Sequence, residues 1–280
     1  LAASHVTIED CVLHDTGLDV VKLPSGSDNI SIIRCEIFNS GMSYPPDAQD
    51  RNAEGVDAVN ADNFRVVDTY IHDTSTSCIY VKGGSQNTVI ERVRVERCRE
   101  MGIALGFETS VEWFDLAANP GYYENINGVV RNSIVRDTGW AGIAIYASRD
   151  ARVLHNTIID SAQELQSAIY FGAAVQDEDP NAGRPPNVNP TIVGNIIDQT
   201  GVADAQCVNI RYSPADKVEA LYGLEGPLTM RDNLYFADGA PCLFIDNRPE
   251  SYLEAGDLSA WQAHGDGLDV DSVVADPLLD

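Results

Sequence analysis

Lysine is nearly missing from this chain of 280 residues. Lys22, Lys82 and Lys217 are the only three among 18 basic residues, against 43 Asp and Glu, for a net charge of −25. A surface of that sign repels phosphate backbones and anionic lipid, which excludes nucleic acid and charged membranes as partners. No apolar run approaches the roughly 18 residues a membrane-spanning helix needs. The six cysteines form no CxxC and no Cys/His cluster, which argues against zinc. Asn-Gly and Asp-Gly, the dipeptides of tight hairpins, are scarce, which argues against a sandwich of antiparallel strands. No signal peptide stands at Leu1 and the chain opens almost directly on a repeat, so a signal and an N-terminal cap are expected to precede it.

What is present is an internal repeat. HVTIEDCVLHDTG (5–17) returns 24 residues later as NISIIRCEIFNSG (29–41), then as FRVVDTYIHDTS (64–75), NTVIERVRVERC (87–98) and NGVVRNSIVRDTG (127–139). Weaker copies follow at 151–162, 190–201 and 227–239. Each alternates apolar with polar residues and ends in a turn, as a short strand does. A second strand follows in each unit: GLDVV (17–21), GVDAV (55–59), CIYVK (78–82), GIALG (102–106), GIAIY (142–146), AIYFG (168–172), CVNIR (207–211) and CLFID (242–246). Two short strands cannot bury a core alone. Stacked at about 4.8 Å per coil, they make an all-β, single-domain parallel β-helix of about eight coils over 1–256. The stretch 257–280, amphipathic around Trp261, departs from the repeat and suits a C-terminal cap.

Aligned columns support the stacking. The first strands give Cys11, Cys35, Thr69, Val93, Ser133, Thr157, Asn195, Asn233, and the second give Leu18, Val56, Ile79, Ile103, Ile143, Ile169, Val208, Leu243. In this register Cys11 lies over Cys35 and Cys207 over Cys242, which suits disulfides or stacked thiols; buried free thiols are the expectation. Cys78 and Cys98 fall in different columns and are expected not to pair. Insertions at 42–54, 107–126, 173–189 and 212–226 all border the sheet of second strands, which marks that face for binding.

Alternation places Asp19, Asp57, Tyr80, Ala104, Ala144, Tyr170, Asn209 and Phe244 outward in one column, and Val21, Val59, Lys82, Gly106, Tyr146, Gly172, Arg211 and Asp246 in the next. Asp19 over Asp57, helped by Glu54 or Asp50 from the acidic loop, asks for a cation, and oxygen ligands suit Ca²⁺. Lys82 beside that pair is the candidate base, although flanking carboxylates would raise its pKa. Tyr80, Tyr146, Tyr170 and Trp113 would offer stacking surfaces to sugars, and Arg211 could bind a distant acidic group. A surface ion-pair cluster of Asp19, Asp57 and Lys82 is the plainer alternative. His14 and His72 occupy equivalent turn positions and are expected to be structural or solvent-facing.

The segments VTIEDCVLHDTG, FRVVDTYIHDT and VVRNSIVRDTG, with the second strands and the closing SAWQAHGDGLDVDSVVADPLLD, resemble the pectate-lyase-like superfamily of right-handed parallel β-helix proteins. NAEGVDAVN (52–60) is similar to the calcium-binding coil of family 9 pectate lyases, but the next coil, TSTSCIYVK (74–82), lacks clustered aspartates. No GHG occurs, and Gly106 stands where a Lys-then-Arg pairing on successive coils would place arginine. The resemblance implies a secreted, carbohydrate-active protein, foremost a lyase cleaving a uronic-acid polymer by β-elimination. A non-catalytic glycan-binding or structural protein is the alternative.

Overall fold

The computed structural model describes residues 2–45, 47–174, 183–214, 220–265 and 267–279. Eight coils stack as a right-handed parallel β-helix. Over the eight coils a first sheet runs from the strand Thr7–Glu9 to Thr229–Arg231, a second from Val12–His14 to Leu234–Phe236, where Val273–Val274 adds a ninth strand, and a third from Val21–Leu23 to Leu243–Asp246. A fourth, shorter sheet joins five coils, from Ser85–Gln86 to Leu224–Glu225. Each unit therefore holds three principal strands, not two. What alternation read as one first strand is two strands of three to five residues, broken by a left-handed residue at a corner. That residue is Asp10, Arg34, Asp68, Arg92, Asn132, His155, Gly194 or Asp232 in successive coils, with φ between 51° and 70°.

Inward aliphatic residues form one continuous core along the axis, with Ile32, Val66, Ile90, Val130, Val153 and Ile192 all fully buried. At the corner between the first and second sheets, side chains take over the hydrogen bonding of the broken strands. Asn156 Oδ1 accepts from the Ser133 amide (3.1 Å), Asn195 Oδ1 from the Asn156 amide (3.0 Å), and Asn233 Oδ1 from the Asn195 amide (2.9 Å). Each Asn also donates to a backbone carbonyl of the preceding coil, Val130, Val153 and Ile192 respectively. The residue in this column of the sixth coil is thus Asn156, one before the expected Thr157, which begins the next strand.

The register departs from expectation at both ends. In the first coil Val21 pairs with Val56, Lys22 with Asp57 and Leu23 with Ala58, so the strand is VKL and not GLDVV. Leu18, expected inside, is 56% exposed. In the last coil a bulge at Gln206/Val208 sets Phe244 against Val208 and Asp246 against Ile210. Phe244 and Asp246, expected outward, are consequently fully buried.

Cys78 and Cys98, expected apart, form a disulfide with Cα atoms 5.5 Å apart. Their columns differ, but Cys98 ends a second-sheet strand and Cys78 precedes a third-sheet strand one coil away, so both stand at one corner. Cys207 and Cys242 are also bonded, against the expectation of free thiols, while Cys11 and Cys35 remain thiols. Beyond the eighth coil, Leu253–Gly256 pairs antiparallel with Leu243–Asp246, and the helix α1 (Leu258–His264) lays the fully buried Trp261 on Phe244, ring centroids 5.5 Å apart.

The asparagine ladder is testable by stability. Asn195→Ala removes the acceptor of the Asn156 amide and leaves buried backbone groups unpaired, so it should cost about 2–4 kcal/mol. The check is a lower urea midpoint at unchanged slope.

Candidate functional site

The outer face of the third sheet carries Lys22, Asp57 and Tyr80 in register on three successive coils. Lys22 Nζ sits on Asp57 Oδ2 and lies 3.7 Å from Asp19 Oδ2. Tyr80 donates its hydroxyl to Asp57 Oδ2 at 3.2 Å. Asp57 points outward yet is fully buried, because the turn holding Asp19 and the segment holding Glu54 close over it. Asp19 is not stacked on Asp57; it stands three residues before Lys22 and reaches the same place by accepting from the Glu54 amide (2.9 Å).

Asp19, Glu54 and Asp57 each bring an oxygen within 4.8 Å of the others. Glu54 Oε1 accepts from Thr76 Oγ1 (2.8 Å), while Glu54 Oε2 and Asp57 Oδ1 are buried with no hydrogen-bond partner among the described residues. Burial first, then the hydrogen bond and charge of Asp19, push the Glu54 carboxyl up to about 8. Asp50, expected with this group, is exposed on the insertion and outside it. The donor set suits calcium poorly while Lys22 is in place. Its ammonium occupies one carboxylate and approaches another, and a neutral Glu54 is a weak ligand for a hard cation.

Beside the carboxylates lies a cleft of about 230 Å³ whose walls include Lys22, Ser25, Asn52, Tyr80, Lys82 and Trp113. Lys82 donates to the Glu108 carbonyl (3.1 Å), with its nitrogen 4.3 Å from the Tyr80 ring centre. Flanking carboxylates were expected to raise its pKa. Burial outweighs them and lowers it, against the pull of Glu124, Glu54, Glu108 and Asp19. Burial likewise pushes Glu124 up to about 7, which weakens that pull near neutral pH.

Glu124, which sequence reasoning passed over, fixes the cleft wall. Fully buried, it accepts from the Gly83 amide (2.8 Å), the Thr109 amide (3.0 Å) and the Thr109 hydroxyl (2.7 Å). Arg184, from the insertion after the sixth coil, adds an ion pair at 3.2 Å and lies over Phe114 and Tyr122. These bonds tie the end of the Lys82 strand to the loop carrying Glu108 and Trp113.

The other expected residues divide. Trp113 lines the cleft and is 48% exposed. Tyr80, Tyr146 and Tyr170 point outward but are buried, packed with Met101, Ala104 and Ala144 beneath Phe107 and Trp140, so they form a small second core and not an open stacking platform. Gly172 lets this happen, since a Cβ there would collide with the Tyr146 ring. Arg211 is exposed on the seventh coil, away from the cleft. His14 and His72 stack on either side of Phe38 (4.7 and 4.9 Å) on the second sheet. Lys217 lies outside the described residues.

Lys22 had a readable signal. In the first three coils, which carry no insertion after the third-sheet strand, the following turn is nearly constant: eight positions from Leu23 to Ser31, seven from Ala58 to Arg65 and eight from Val81 to Val89. Counting back from the second unit gives VKL, and counting forward agrees, since Leu13 to Val21 is the same eight positions as Ile71 to Ile79.

Eight coils of three principal strands, with insertions folded over one face, define a right-handed parallel β-solenoid. The family described as "Right handed beta helix region" matches residues 1–177, and the chain belongs to it. Among solved structures it is similar to the mannuronan C-5 epimerase A-module of Azotobacter vinelandii, at 13% identity and a TM-score of 0.55 over 98% of this chain and 58% of that one. A surface adhesin of Streptococcus pneumoniae is similar at 9% identity and 0.57, over 87% and 58%. An alginate lyase from Paenibacillus is similar at 13% and 0.54, over 85% and 72%. These are likenesses of fold, and the chain spans under two thirds of the epimerase module and of the adhesin. No curated protein matches it in sequence.

The raised Glu54 carboxyl has a pH signature. Its folded pKa, about 8, exceeds the ordinary 4.5, so the folded state holds the proton more tightly across that window. The stability this gives is complete below about pH 4.5 and declines as pH rises through 8. Glu54→Gln keeps a neutral group there and should flatten part of the fall in Tm between pH 5 and 9, as read by thermal unfolding of both proteins. Glu100 and Glu124, each pushed up to about 7 by burial, add to the fall in the same direction.

Proposed function

We propose that this chain is a carbohydrate-active protein acting outside the cell, which binds an acidic polysaccharide in the lysine-lined cleft and cleaves it by β-elimination. One observation carries the reading: in a chain of net charge −25, two of only three lysines converge on one cleft beside an exposed tryptophan. A cleft of that kind selects an anion with a sugar face, and a uronate residue is both. Two disulfides favour an oxidising compartment.

In this scheme Lys22, half exposed and anchored on Asp57, pairs with the uronate carboxylate. It stabilises the charge that develops there when the C5 proton leaves. Lys82, whose burial favours the neutral amine, takes that proton. The electron pair forms the C4=C5 double bond, the C4–O bond breaks, and the departing oxygen takes a proton from solvent. Trp113 offers its ring to the sugar. Lys22 is the resident cation of the carboxylate cluster, and no step runs through calcium. The fold likeness to an alginate lyase and a C-5 epimerase agrees with this chemistry, since elimination and C5 inversion both begin with removal of the same proton. A second reading, glycan binding without turnover, is favoured by the hydrogen bond that engages Lys82 with the Glu108 carbonyl.

Pectate, alginate and glycosaminoglycans, tried with and without Ca²⁺, should yield unsaturated product from at least one polymer, read by its absorbance. Lys82→Ala should lower turnover by about 10² or more at nearly unchanged Tm. Full activity in that variant would place the base elsewhere. Product from no polymer, with binding retained, would leave the second reading in place.

The cation assignment has its own check. Ca²⁺ should leave the Tm of the wild type unchanged and raise that of Lys22→Ala, where the carboxylates lose their ammonium. Equal Ca²⁺ heats for the two proteins in calorimetry would remove Lys22 as the occupant.

A further inference from the structure

Parallel β-helices present a long face, and a polymer could lie along the whole of it. Here the face is interrupted. The outward row that starts with Lys22, Asp57 and Tyr80 continues into Ala104, Ala144 and Tyr170, all buried. Phe107 and Trp140 pack over this stretch, and Phe107 meets the edge of Tyr146 with ring centroids 5.3 Å apart. From the fourth coil to the sixth, the outer surface is therefore a covered apolar layer. Lys82 stands at its border, its nitrogen 5.7 Å from the Phe107 ring centre.

The long side is walled as well. The loop that leaves the fourth coil after Leu105 runs back alongside the cleft, and its Trp113 carbonyl accepts from the Ser25 hydroxyl of the first coil at 3.3 Å. On the opposite side Asn52 approaches the Tyr80 hydroxyl, 3.5 Å away. The end wall is anchored by the buried Glu124, through Thr109, Gly83 and Arg184. Swinging it aside would strip a buried carboxylate of its partners, which is costly.

We infer that the cleft is a groove closed at one end, which seats the terminal one or two sugars of an acidic chain and excludes an internal stretch. The inference deepens the uronate reading and rests on it. The cleft volume, about 230 Å³, falls below the ~300–1,000 Å³ of sites that enclose larger ligands. Both lysines line this short groove, where a terminal carboxylate would come to rest. Binding therefore counts chain ends.

The test needs no turnover. Alginate and polygalacturonate fractions of narrow and increasing length are titrated into the wild-type chain by calorimetry, with bound protein per polymer checked by sedimentation. The expected result is one protein per polymer chain whatever its length, and an oligomer affinity that stops rising after the second sugar. A number of bound proteins that grows with polymer length would overturn the closed groove and leave the uronate reading intact. No binding by any oligomer or polymer would overturn both.

Discussion

Parallel strands stacked one coil apart leave little freedom in what points inward. Every coil must pair its backbone with the coils above and below, and every inward side chain must lie over one of its own kind. The aliphatic rows of the core satisfy this directly. The corners cannot, because the strands break there at a left-handed residue, and the amides left over need other acceptors. Asn156, Asn195 and Asn233 provide them, each serving the coil before it. The register of the whole stack, and with it the position of each functional side chain, follows from that axial pairing.

The same constraint decides where chemistry can sit. The interior is committed to stacking, so ionisable groups lie on the outer faces, and along the third sheet some of them are covered by insertions or by the cap. Along this sheet three fully buried carboxylates each have their own cation among the described residues: Asp57 with Lys22, Glu124 with Arg184, and Asp246 with Arg248. Leaving any of them unpaired in a dry environment would be expensive. The first differs from the other two in the exposure of its cation: Lys22 is half exposed in its cleft, whereas Arg184 is buried and Arg248, which also lines a cleft, is nearly so. A charge pair that is structural on one side can thus be available to a ligand on the other.

Much of the fold was legible in the sequence, because a repeat needs only its own periodicity to be seen. The coil count, the aliphatic column from Val56 to Val208 and the insertions around one sheet could all be read from residue spacing. What failed were features set by local geometry. The break between two three-residue strands hides inside one alternating segment, and the Cys78–Cys98 bridge spans a corner that a column alignment does not describe. The neighbourhood of Asp19, Glu54 and Asp57 was anticipated, though Asp19 arrives there by a turn and not by stacking. Lys22 was missed through a slip of three residues in the first coil. The tyrosines were placed on the correct face, but alternation tells which way a side chain points and nothing of what lies above it. That needs the loops, whose paths no periodicity encodes.

Stacked repeats usually communicate only with their immediate neighbours, so stability is a sum of local terms and unfolding can begin at either end and stop anywhere. The loop that leaves the fourth coil breaks that rule. It touches Ser25 in the first coil and receives Arg184 from beyond the sixth, joining coils that share no hydrogen-bonded edge. It works as a splint laid across the stack. Fraying of the first coil must release the loop, and releasing the loop uncovers a charge pair held by a distant arm. The coils between Ser25 and Arg184 are thereby bound into one cooperative block.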